Sequence, residues 1–482
     1  MSEMENWSWP PRYDNSYLPD KGSRYWFPVR ETMDPGAREK AIAQRLREVC
    51  DYAYATCAFY KNKWDQAGFH PSQIKTVEDF ERRCPVVVKT DLREAQHRAP
   101  PFGDYLCIPE SEVHHIHGTS GTTGRPTAFA IGRDDWQNIA NAHARIMWGM
   151  GIRPGDIVFV AAIFSLYMGS WGAMTGAERL GAKAFPFGAG APGMSQRAVQ
   201  WLSMIKPKAF YSTPSYALYL AETAAKEGLN PADFGIQRMF FSGEPGASVP
   251  GVRDRIIDAY QAKVFDCGSM AEMSPFMNVS ASNESANGML CWQDVCYTEV
   301  CDPKTFLRVP YGQRGTPVYT HLERTSQPMI RLVSGDLALW TNDKTECGRT
   351  YPSLPQGIFG RIDDMITIRG ENVYPSEIDA TLNKLAHYGG EHRIVVSRAG
   401  QMDELLLQVE ASAELGAQGA QAMEAFRVEV SEAVRTMLGL RTLVEVAQPG
   451  TFPRTDFKAR RVIDDREVFK QMAQRLQSGT AE

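Results

Sequence analysis

The amino-acid sequence predicts an α/β protein with a large N-terminal domain and a small α+β C-terminal domain. Short apolar segments alternate with amphipathic segments between residues 135 and 265. This order is typical of crossover units, which build mainly parallel sheets covered by helices. Residues 288–345 are rich in strand-forming side chains and predict a β-rich subdomain. Towards the C-terminus the order becomes helix, strand, strand, helix, strand, which predicts a separate small core.

The individual elements follow from the spacing of apolar side chains. Residues 36–70 repeat them at intervals of three and four, which predicts helical structure. Further helices are predicted at 135–150, 171–180, 195–204, 215–227, 252–260, 376–387 and 419–437. Short apolar runs predict strands at 157–163, 182–186, 209–211, 238–242, 262–265, 392–397, 404–410 and 442–446.

The composition excludes several classes of protein. Of 482 residues, 43% are hydrophobic and 23% charged, and 52 basic against 57 acidic residues give a net charge of −5. A mildly acidic chain without basic runs is not expected to bind nucleic acid or an anionic membrane. No apolar run reaches the roughly 18 residues of a membrane span, and residues 1–20 lack the pattern of a signal peptide. We therefore expect a cytoplasmic protein.

The nine cysteines are too few and too scattered for a disulfide scaffold, so reduced thiols are expected. Cys291, Cys296 and Cys301 are spaced five apart. That spacing lacks the Cys-x2-Cys pattern of zinc sites, and it disfavours a metal at these residues.

One segment of the N-terminal part is rich in glycine and hydroxyl side chains. Residues 118–127 read Gly-Thr-Ser-Gly-Thr-Thr-Gly-Arg-Pro-Thr, and apolar runs at 105–108 and 128–131 flank them. The flanking runs predict a loop between two strands. Because exposed backbone N–H groups and hydroxyls bind phosphate oxygens well, polyphosphate chemistry is the first hypothesis. The alternative is a flexible Ser/Thr/Gly surface turn.

The segment does not fit the common phosphate loop Gly-x4-Gly-Lys-Ser/Thr. Five residues separate Gly118 from Gly124, Arg125 stands in the place of the lysine, and Pro126 replaces the hydroxyl that would bind Mg²⁺. The sequence therefore favours a different kind of phosphate chemistry.

Residues 119–126 instead resemble the phosphate loop of the adenylate-forming superfamily, which includes acyl-CoA synthetases, adenylation domains and luciferases. That loop reads Ser/Thr-Ser/Thr-Gly-Thr-Thr-Gly-Lys/Arg-Pro, and the match is complete. The resemblance implies a catalytic role for Arg125. It also implies ATP contacts from Thr119, Ser120, Gly121, Thr122, Thr123 and Gly124.

Two further motifs resemble the phenylacetate-CoA ligase branch of the superfamily. Residues 242–246 read Ser-Gly-Glu-Pro-Gly after a predicted strand, like the segment of that branch close to adenine. Residues 266–272 match its aromatic-Gly-x-Thr-Glu motif only partly, since Gly268, Ser269 and Ala271 depart from it. The implied ATP-binding residues are Gly243, Glu244, Pro245, Asp266 and Cys267. Glu272 would be catalytic and hold Mg²⁺, a cation that prefers oxygen ligands.

The next two motifs concern the ribose and the hinge. Ser-Gly-Asp at 334–336 places Asp336 where the superfamily binds both ribose hydroxyls, for which an acceptor-only carboxylate is suited. Residues 360–372 match the domain-junction pattern Gly-Arg-x-Asp-Asp-x-Ile-x-x-Arg-Gly-x-Asn. The resemblance implies that Arg361 contacts ATP and that Asp363 is the hinge. It places Arg369, Gly370 and Asn372 on the side of the thiol substrate.

This junction gives the predicted domain boundaries. Residues 1–360 form the domain with the ATP and acid sites, 361–369 the charged, glycine-flanked hinge, and 370–482 a mobile domain. Residues 453–461 in that domain resemble Pro-Arg-Thr-x-x-Gly-Lys-x-x-Arg, with Phe457 in place of the glycine. Lys458 falls on the catalytic lysine, whose ammonium would stabilise charge in the transition state.

No zinc is expected, although many chains of this branch carry a structural zinc site. Its Cys-x-Cys-Gly-Arg element here reads Thr-Glu-Cys-Gly-Arg at 345–349, so that only Cys347 remains. The histidine of the partner element is replaced by Leu290.

The acid pocket of the superfamily draws on the segments that correspond to 164–171 and 213–216. Tyr167, Met168 and Trp171 would wall a flat apolar slot with a polar handle, which suits an aromatic acid. Ser215 and Phe276 are expected to contribute to this site. The alternative for each aromatic residue is ordinary core packing.

These observations predict an ATP-dependent, AMP-forming ligase that joins an aromatic carboxylic acid to coenzyme A through an acyl-adenylate. ATP, Mg²⁺ and CoA are implied, and the partners are small molecules. One alternative is an adenylating enzyme that loads a separate carrier protein, which the lack of a fused carrier domain disfavours. Another is a catalytically silent ligand-binding relative, which the altered residues 268–271 favour. A homodimer remains open.

Overall fold

The computed structural model of the protein has the predicted α/β architecture. It describes residues 7–119, 126–189, 193–268, 270–275, 278–279, 288–362, 366–368, 371–399, 402–439, 442–454 and 461–464. Three sheets of four or more strands and two hairpins make up its β structure within these ranges. None of the described helices is long and apolar enough to cross a membrane.

The first hundred residues are helical. The helices are α1 (Pro28–Glu31), α2 (Pro35–Thr56), α3 (Ala58–Gln66), α4 (Val77–Arg83) and α5 (Lys89–Arg98). The predicted helical stretch 36–70 is divided at Cys57, whose backbone is extended with φ −134° and ψ 118°. Helix α2 begins where Pro35 fixes its own backbone and the Asp34 side chain accepts from the Ala37 N–H.

A hairpin carries the glycine-rich loop. Its strands are β1 (Val113–Gly118) and β2 (Ala128–Gly132), which pair antiparallel. The first strand therefore lies nearer the loop than the predicted run at 105–108, which is irregular. In that run the buried Tyr105 packs in the core, while the Cys107 N–H donates to the Ser326 carbonyl rather than to a strand. The apolar character of residues 105–108 therefore reflects packing, and this run pairs with no described strand.

The centre of the protein is an eight-stranded mixed sheet. Five parallel strands form one side of it: β3 (Ile157–Val160), β4 (Lys183–Phe185), β5 (Ala209–Ser212), β6 (Arg238–Phe241) and β7 (Lys263–Gly268). Two antiparallel strands follow, β8 (Asn278–Val279) and β9 (Met289–Cys291). The sheet is thus less uniformly parallel than the crossover pattern predicts.

The helices between these strands are α6 (Arg133–Gly149), α7 (Met168–Leu180), α8 (Met194–Ile205), α9 (Pro214–Lys226) and α10 (Pro250–Tyr260). Helix α7 begins at Met168 rather than at the predicted residue 171. All residues of β5 are buried, as expected for a central parallel strand. The apolar side chains of β5 and β6 divide between two clusters, one on each face of the sheet.

The β-rich prediction for 288–345 is confirmed. The strands are β10 (Cys296–Cys301), β11 (Arg314–His321), β12 (Leu332–Val333), β13 (Asp336–Leu339), β14 (Ser353–Leu354) and β15 (Ile358–Arg361). Strands β10, β11, β13 and β15 lie in that order in a second sheet, and β12 pairs with β11. Strand β14 joins β9 and completes the eight-stranded sheet.

The C-terminal elements form a third core. A hairpin of β16 (Ile366–Ile368) and β17 (Glu371–Val373) precedes them. They are α11 (Pro375–Leu382), β18 (Tyr388–Ala399), β19 (Met402–Ala411), α12 (Ala413–Ala417), α13 (Ala420–Leu438), β20 (Leu443–Ala447) and β21 (Val462–Asp464). The strands lie in the order β20-β19-β18-β21. The predicted helix 376–387 ends earlier, at Leu382, and β21 is an additional strand.

Candidate active site

The β1–β2 hairpin closes the base of the glycine-rich loop. The Thr119 N–H donates to the Thr127 carbonyl at 3.0 Å, and the Thr127 N–H donates to Thr119 Oγ1 at 3.3 Å. A Cβ at Gly118 would lie 2.7 Å from the Thr127 carbonyl oxygen, so only glycine fits there. The predicted loop residues Ser120, Gly121, Thr122, Thr123, Gly124 and Arg125 lie outside the described residues.

The ends of parallel strands β5, β6 and β7 meet at one edge of the sheet, where open α/β sheets bind ligands. The Ser-Gly-Glu-Pro segment follows β6 at this edge. Glu244 Oε1 accepts the Ser215 N–H at 2.8 Å, so this carboxylate binds the first turn of α9. Within the described structure the buried Ser215 hydroxyl oxygen has no hydrogen-bond partner.

Three hydroxyl groups meet beside this segment, and we call Tyr167, Tyr211 and Ser242 the hydroxyl cluster. The Tyr167 hydroxyl lies 3.0 Å from that of Tyr211 and 2.7 Å from Ser242 Oγ, and the last two are 2.5 Å apart. Burial raises the pKa of both phenols above its ordinary value, so they are neutral at physiological pH. The cluster can therefore both donate and accept hydrogen bonds.

The hydroxyl cluster also explains why residue 243 is a glycine. Gly243 has φ +95°, and a Cβ there would lie 2.8 Å from the Tyr167 hydroxyl. Tyr167 is a predicted acid-binding residue, whereas no role was predicted for Tyr211 or Ser242. Both stand at the carboxyl ends of neighbouring strands, and that position is the signal by which they could have been found.

Trp171 packs beside the same region. Its indole N–H donates to the Phe164 carbonyl at 2.6 Å, and its ring meets the His117 ring edge-to-face at 6.0 Å between centroids. The indole N–H of Trp171 is therefore already hydrogen-bonded to the backbone of the segment that precedes α7. Phe276, the last predicted acid-binding residue, lies outside the described part of the chain.

Asp266, at the end of β7, is buried, with 4% of its surface exposed. Burial raises the pKa of its carboxyl from 3.8 to about 6, although Ser248, the Cys267 N–H and Arg253 act in the opposite direction. The neighbouring predicted ATP-binding residue, Cys267, is also buried, and burial raises the pKa of its thiol. A Cβ at Gly357 would lie 2.8 Å from Asp266 Oδ2, which shows how closely the 355–357 turn approaches.

The Asp266 pKa predicts a pH effect on stability. A carboxyl whose pKa is higher in the folded than in the unfolded state stabilises the fold when it is protonated. For Asp266 this contribution to the free energy of unfolding is fully present below pH 3.8, and it is lost as the pH rises through about 6. Asp266→Asn cannot ionise. Its stability relative to wild type should therefore increase between pH 4 and 7, by on the order of 3 kcal/mol at most.

Thermal or urea denaturation across this pH range measures the difference. Asp258→Asn, at an exposed position of α10, is the matched control and should show no such trend. A wild-type-minus-variant difference that stays constant with pH would contradict the assignment.

Glu272, the predicted Mg²⁺ ligand, lies on a single 3-10 turn and is 3% exposed. Its Oε1 is 3.7 Å from Lys89 Nζ, at the start of α5. A single carboxylate fits a Mg²⁺ ion that is held mainly by substrate phosphates. Among the described residues there is no cluster of three potential metal-ligating His, Cys, Asp or Glu side chains.

Two of the predicted ATP-binding residues lie side by side. Asp336 and Arg361 are register partners of β13 and β15. Gly335, with φ +76°, bends the chain before Asp336, and its carbonyl accepts the Ile362 N–H at 2.7 Å. The structure therefore brings together two motifs that lie far apart in the sequence.

The remaining predicted residues belong to the hinge and the C-terminal part. Asp363, Arg369, Gly370 and Lys458 lie outside the described residues, and Asn372 is described only through its backbone in β17. Arg454, close to Lys458 in sequence, is described and pairs with Glu410 at 2.9 Å.

At the positions that correspond to the zinc element of the branch, the side chains pack together or form ion pairs. Leu290 and Cys347 are buried in one apolar cluster, and Cys347 Sγ lies 3.0 Å from Thr345 Oγ1. Arg349 pairs with Glu31 at 2.7 Å. The absence of zinc remains a prediction.

Comparison with known proteins gives a consistent result. A family model described as AMP-binding enzyme matches residues 32–318, and one described as AMP-binding enzyme C-terminal domain matches residues 370–466. The phenylacetate-coenzyme A ligase of Thermus thermophilus is 32% identical over 457 residues, which cover 91% of this chain and 99% of that protein.

Solved structures of 2-hydroxyisobutyryl-CoA ligase are similar to this chain. The postadenylation state in complex with 2-HIB-AMP is 68% identical over 98% of this chain and 99% of the other, with a TM-score of 0.93. The thioesterification state, with 2-HIB-AMP and CoA, is 69% identical with the same coverage, but its TM-score is 0.74. Because the identity is nearly equal, the lower score reflects a difference in conformation between the two structures of that enzyme. This chain superimposes more closely on the postadenylation structure.

Proposed function

Since the chain belongs to the AMP-binding enzyme family, whose AMP-forming ligases use ATP and CoA, we propose that it joins a carboxylic acid to coenzyme A. In the first half-reaction the carboxylate oxygen attacks the α-phosphorus of ATP, and pyrophosphate leaves. In the second, the CoA thiol attacks the acyl carbon, and AMP leaves as the thioester forms. The observation that carries the proposal is the match over nearly the whole chain to CoA ligases.

The site residues are proposed for the roles that their positions support. The loop above the β1–β2 hairpin would hold the β- and γ-phosphates, with Arg125 among them. Asp336 and Arg361, adjacent across two strands, would bind the ribose. Glu272 would hold Mg²⁺, which would supply positive charge at the phosphates. Lys458 would neutralise charge that develops between the acid and the α-phosphate.

For the acid itself, we propose a small branched hydroxy acid such as 2-hydroxyisobutyrate. The hydroxyl cluster offers neutral donors and acceptors beside the predicted acid pocket, which suits a substrate hydroxyl group better than a bare aromatic ring. The 68% identical ligase binds 2-HIB-AMP. The predicted aromatic acid is the competing hypothesis, which Trp171 and the 32% identical phenylacetate-coenzyme A ligase favour.

The experiment is an acid panel read as acid-dependent pyrophosphate release. It includes 2-hydroxyisobutyrate, isobutyrate, phenylacetate and benzoate at equal concentrations. The proposal predicts the highest kcat/KM for 2-hydroxyisobutyrate. A preference for phenylacetate or benzoate would favour the aromatic hypothesis, and no pyrophosphate release with any acid would favour a catalytically silent protein.

Tyr167→Phe tests the hydroxyl cluster directly. Loss of one hydrogen bond to the substrate hydroxyl is expected to lower kcat/KM for 2-hydroxyisobutyrate by about fivefold to tenfold. Isobutyrate lacks that hydroxyl and serves as the matched control, for which kcat/KM should change little. An equal loss with both acids would show that Tyr167 supports the fold of the pocket and does not select the substrate.

The acceptor requires its own comparison. We propose free CoA, because the relatives are CoA ligases. Free CoA and a phosphopantetheinylated carrier protein are to be compared as acceptors of the same acyl-adenylate. Faster transfer to the carrier would favour the alternative of a carrier-loading enzyme.

A further inference from the structure

An arginine joins the C-terminal sheet to the N-terminal part of the chain. Arg454 Nη2 lies 2.9 Å from Glu410 Oε1 on β19, and Arg454 Nε lies 3.3 Å from Glu222 Oε2 on α9. Glu410 is buried and Glu222 is partly exposed, with 37% of its side chain accessible. The same guanidinium thus binds a carboxylate in each part.

Glu410 fixes the segment that ends at Arg454. Its two carboxylate oxygens accept the Gly450 N–H at 2.9 Å and the Phe452 N–H at 3.1 Å. These bonds hold the turn after β20 against β19. Residues 455–460, which include the predicted catalytic lysine, follow directly. The position of Arg454 therefore determines where that segment starts.

A second contact supports the same arrangement. Gly390 of β18 has φ +96°, and a Cβ there would lie 2.7 Å from Arg255 Nη2 on α10. Burial lowers the pKa of Arg255, the Arg454 charge adds to this shift, and the Glu222 and Glu391 carboxylates oppose it. Glu222 thus interacts with the charges of both guanidinium groups and offsets part of their repulsion.

The solved structures of the similar ligase indicate when these contacts would matter. This chain superimposes more closely on the postadenylation structure, with a TM-score of 0.93, than on the thioesterification structure, with a TM-score of 0.74. The contact between α9 and Arg454 is present in this arrangement. An ion pair that exists in one of two states shifts the balance towards that state.

We propose that Glu222 is a positioning residue for the adenylation half-reaction, because its ion pair with Arg454 holds the end of the described segment 442–454, which precedes Lys458 in the sequence, on the N-terminal part. This inference rests on the proposed function. Partly exposed ion pairs are weak, but a two-state balance needs little to move it. Loss of the pair is expected to change the ratio of the two half-reaction rates by about fivefold.

The test measures the two half-reactions separately in the full-length protein. Adenylation is measured by ATP–pyrophosphate exchange with the best acid of the panel, and thioester formation by adding CoA to preformed acyl-adenylate. Glu222→Gln is expected to slow adenylation about fivefold and to leave thioester formation unchanged or faster. Glu222→Arg, which adds a third guanidinium, is expected to have the larger effect. Glu227→Gln, at the exposed end of the same helix, is the control and should change neither rate.

The outcomes separate this inference from the proposed function. If wild type adenylates an acid but Glu222→Gln and Glu222→Arg leave the rate ratio unchanged, the positioning role is wrong and the ligase function stands. If both half-reactions slow equally, Glu222 supports the fold alone, and the inference is again overturned. If wild type shows no exchange with any acid, the proposed function fails and the inference fails with it.

Discussion

Lys458→Ala is expected to slow acyl-adenylate formation by about 10²- to 10³-fold, the typical effect of removing one preorganised group that stabilises transition-state charge. The carboxylate and the triphosphate are both negative, so their approach raises charge density at the α-phosphorus. A cation between them offsets that repulsion. Conversion of preformed acyl-adenylate to the CoA thioester should continue at nearly the wild-type rate, because the C-terminal domain that carries Lys458 is predicted to move away from the site before that step.

Two measurements check the prediction, namely acid-dependent pyrophosphate release and discharge of preformed acyl-adenylate by CoA. Lys384→Ala, at an exposed position after α11, is the matched control and should behave as wild type in both. Wild-type pyrophosphate release by Lys458→Ala would show that the sequence resemblance misassigns the lysine. An equal loss in both steps would indicate a structural role.

Glu272→Gln is expected to lower adenylation by about 10- to 100-fold at low Mg²⁺, an order of magnitude typical of weakened metal binding and orientation. The amide cannot supply the negative charge that a hard cation requires. Because Lys89 lies 3.7 Å from Glu272, the substitution also leaves that ammonium without its carboxylate. The Mg²⁺ concentration for half-maximal rate should therefore rise, while the KM for the acid stays within about twofold.

A titration of initial rate against Mg²⁺ at fixed ATP measures this effect. Glu346→Gln removes the same charge from an exposed loop and should leave the titration unchanged. If Glu272→Gln reduced the rate without shifting the Mg²⁺ dependence, the ion pair with Lys89 would be the important interaction.

Local patterns predicted much of the fold. Alternation of apolar strands and helices anticipated β3 to β7 and the helices between them, because each of these elements buries one continuous apolar segment. The run at 105–108 was misread, since apolar packing without a partner strand has the same local pattern. The antiparallel strands β8, β9 and β14 depend on pairing between distant residues, and that pairing has no local signal.

The candidate site was likewise only partly predictable from local sequence patterns. The motifs that contain Gly118 and Gly335 were visible in the sequence, because a Cβ does not fit at Gly118 and few residues other than glycine adopt the φ of +76° found at Gly335. The hydroxyl cluster was not, because tyrosine and serine are common, and only their meeting at one sheet edge makes them notable. The pair between Glu222 and Arg454 joins residues 232 positions apart, which no motif encodes.

Mass spectrometry of a single reaction in two stages can detect both half-reactions of the proposed ligase. The protein is first incubated with ATP, Mg²⁺ and 2-hydroxyisobutyrate, and CoA is then added. An enzyme-bound acyl-adenylate and pyrophosphate are expected in the first stage, and the acyl-CoA thioester with AMP in the second. ADP and phosphate as products, or no acyl-adenylate with this acid or with phenylacetate, would contradict the proposed function.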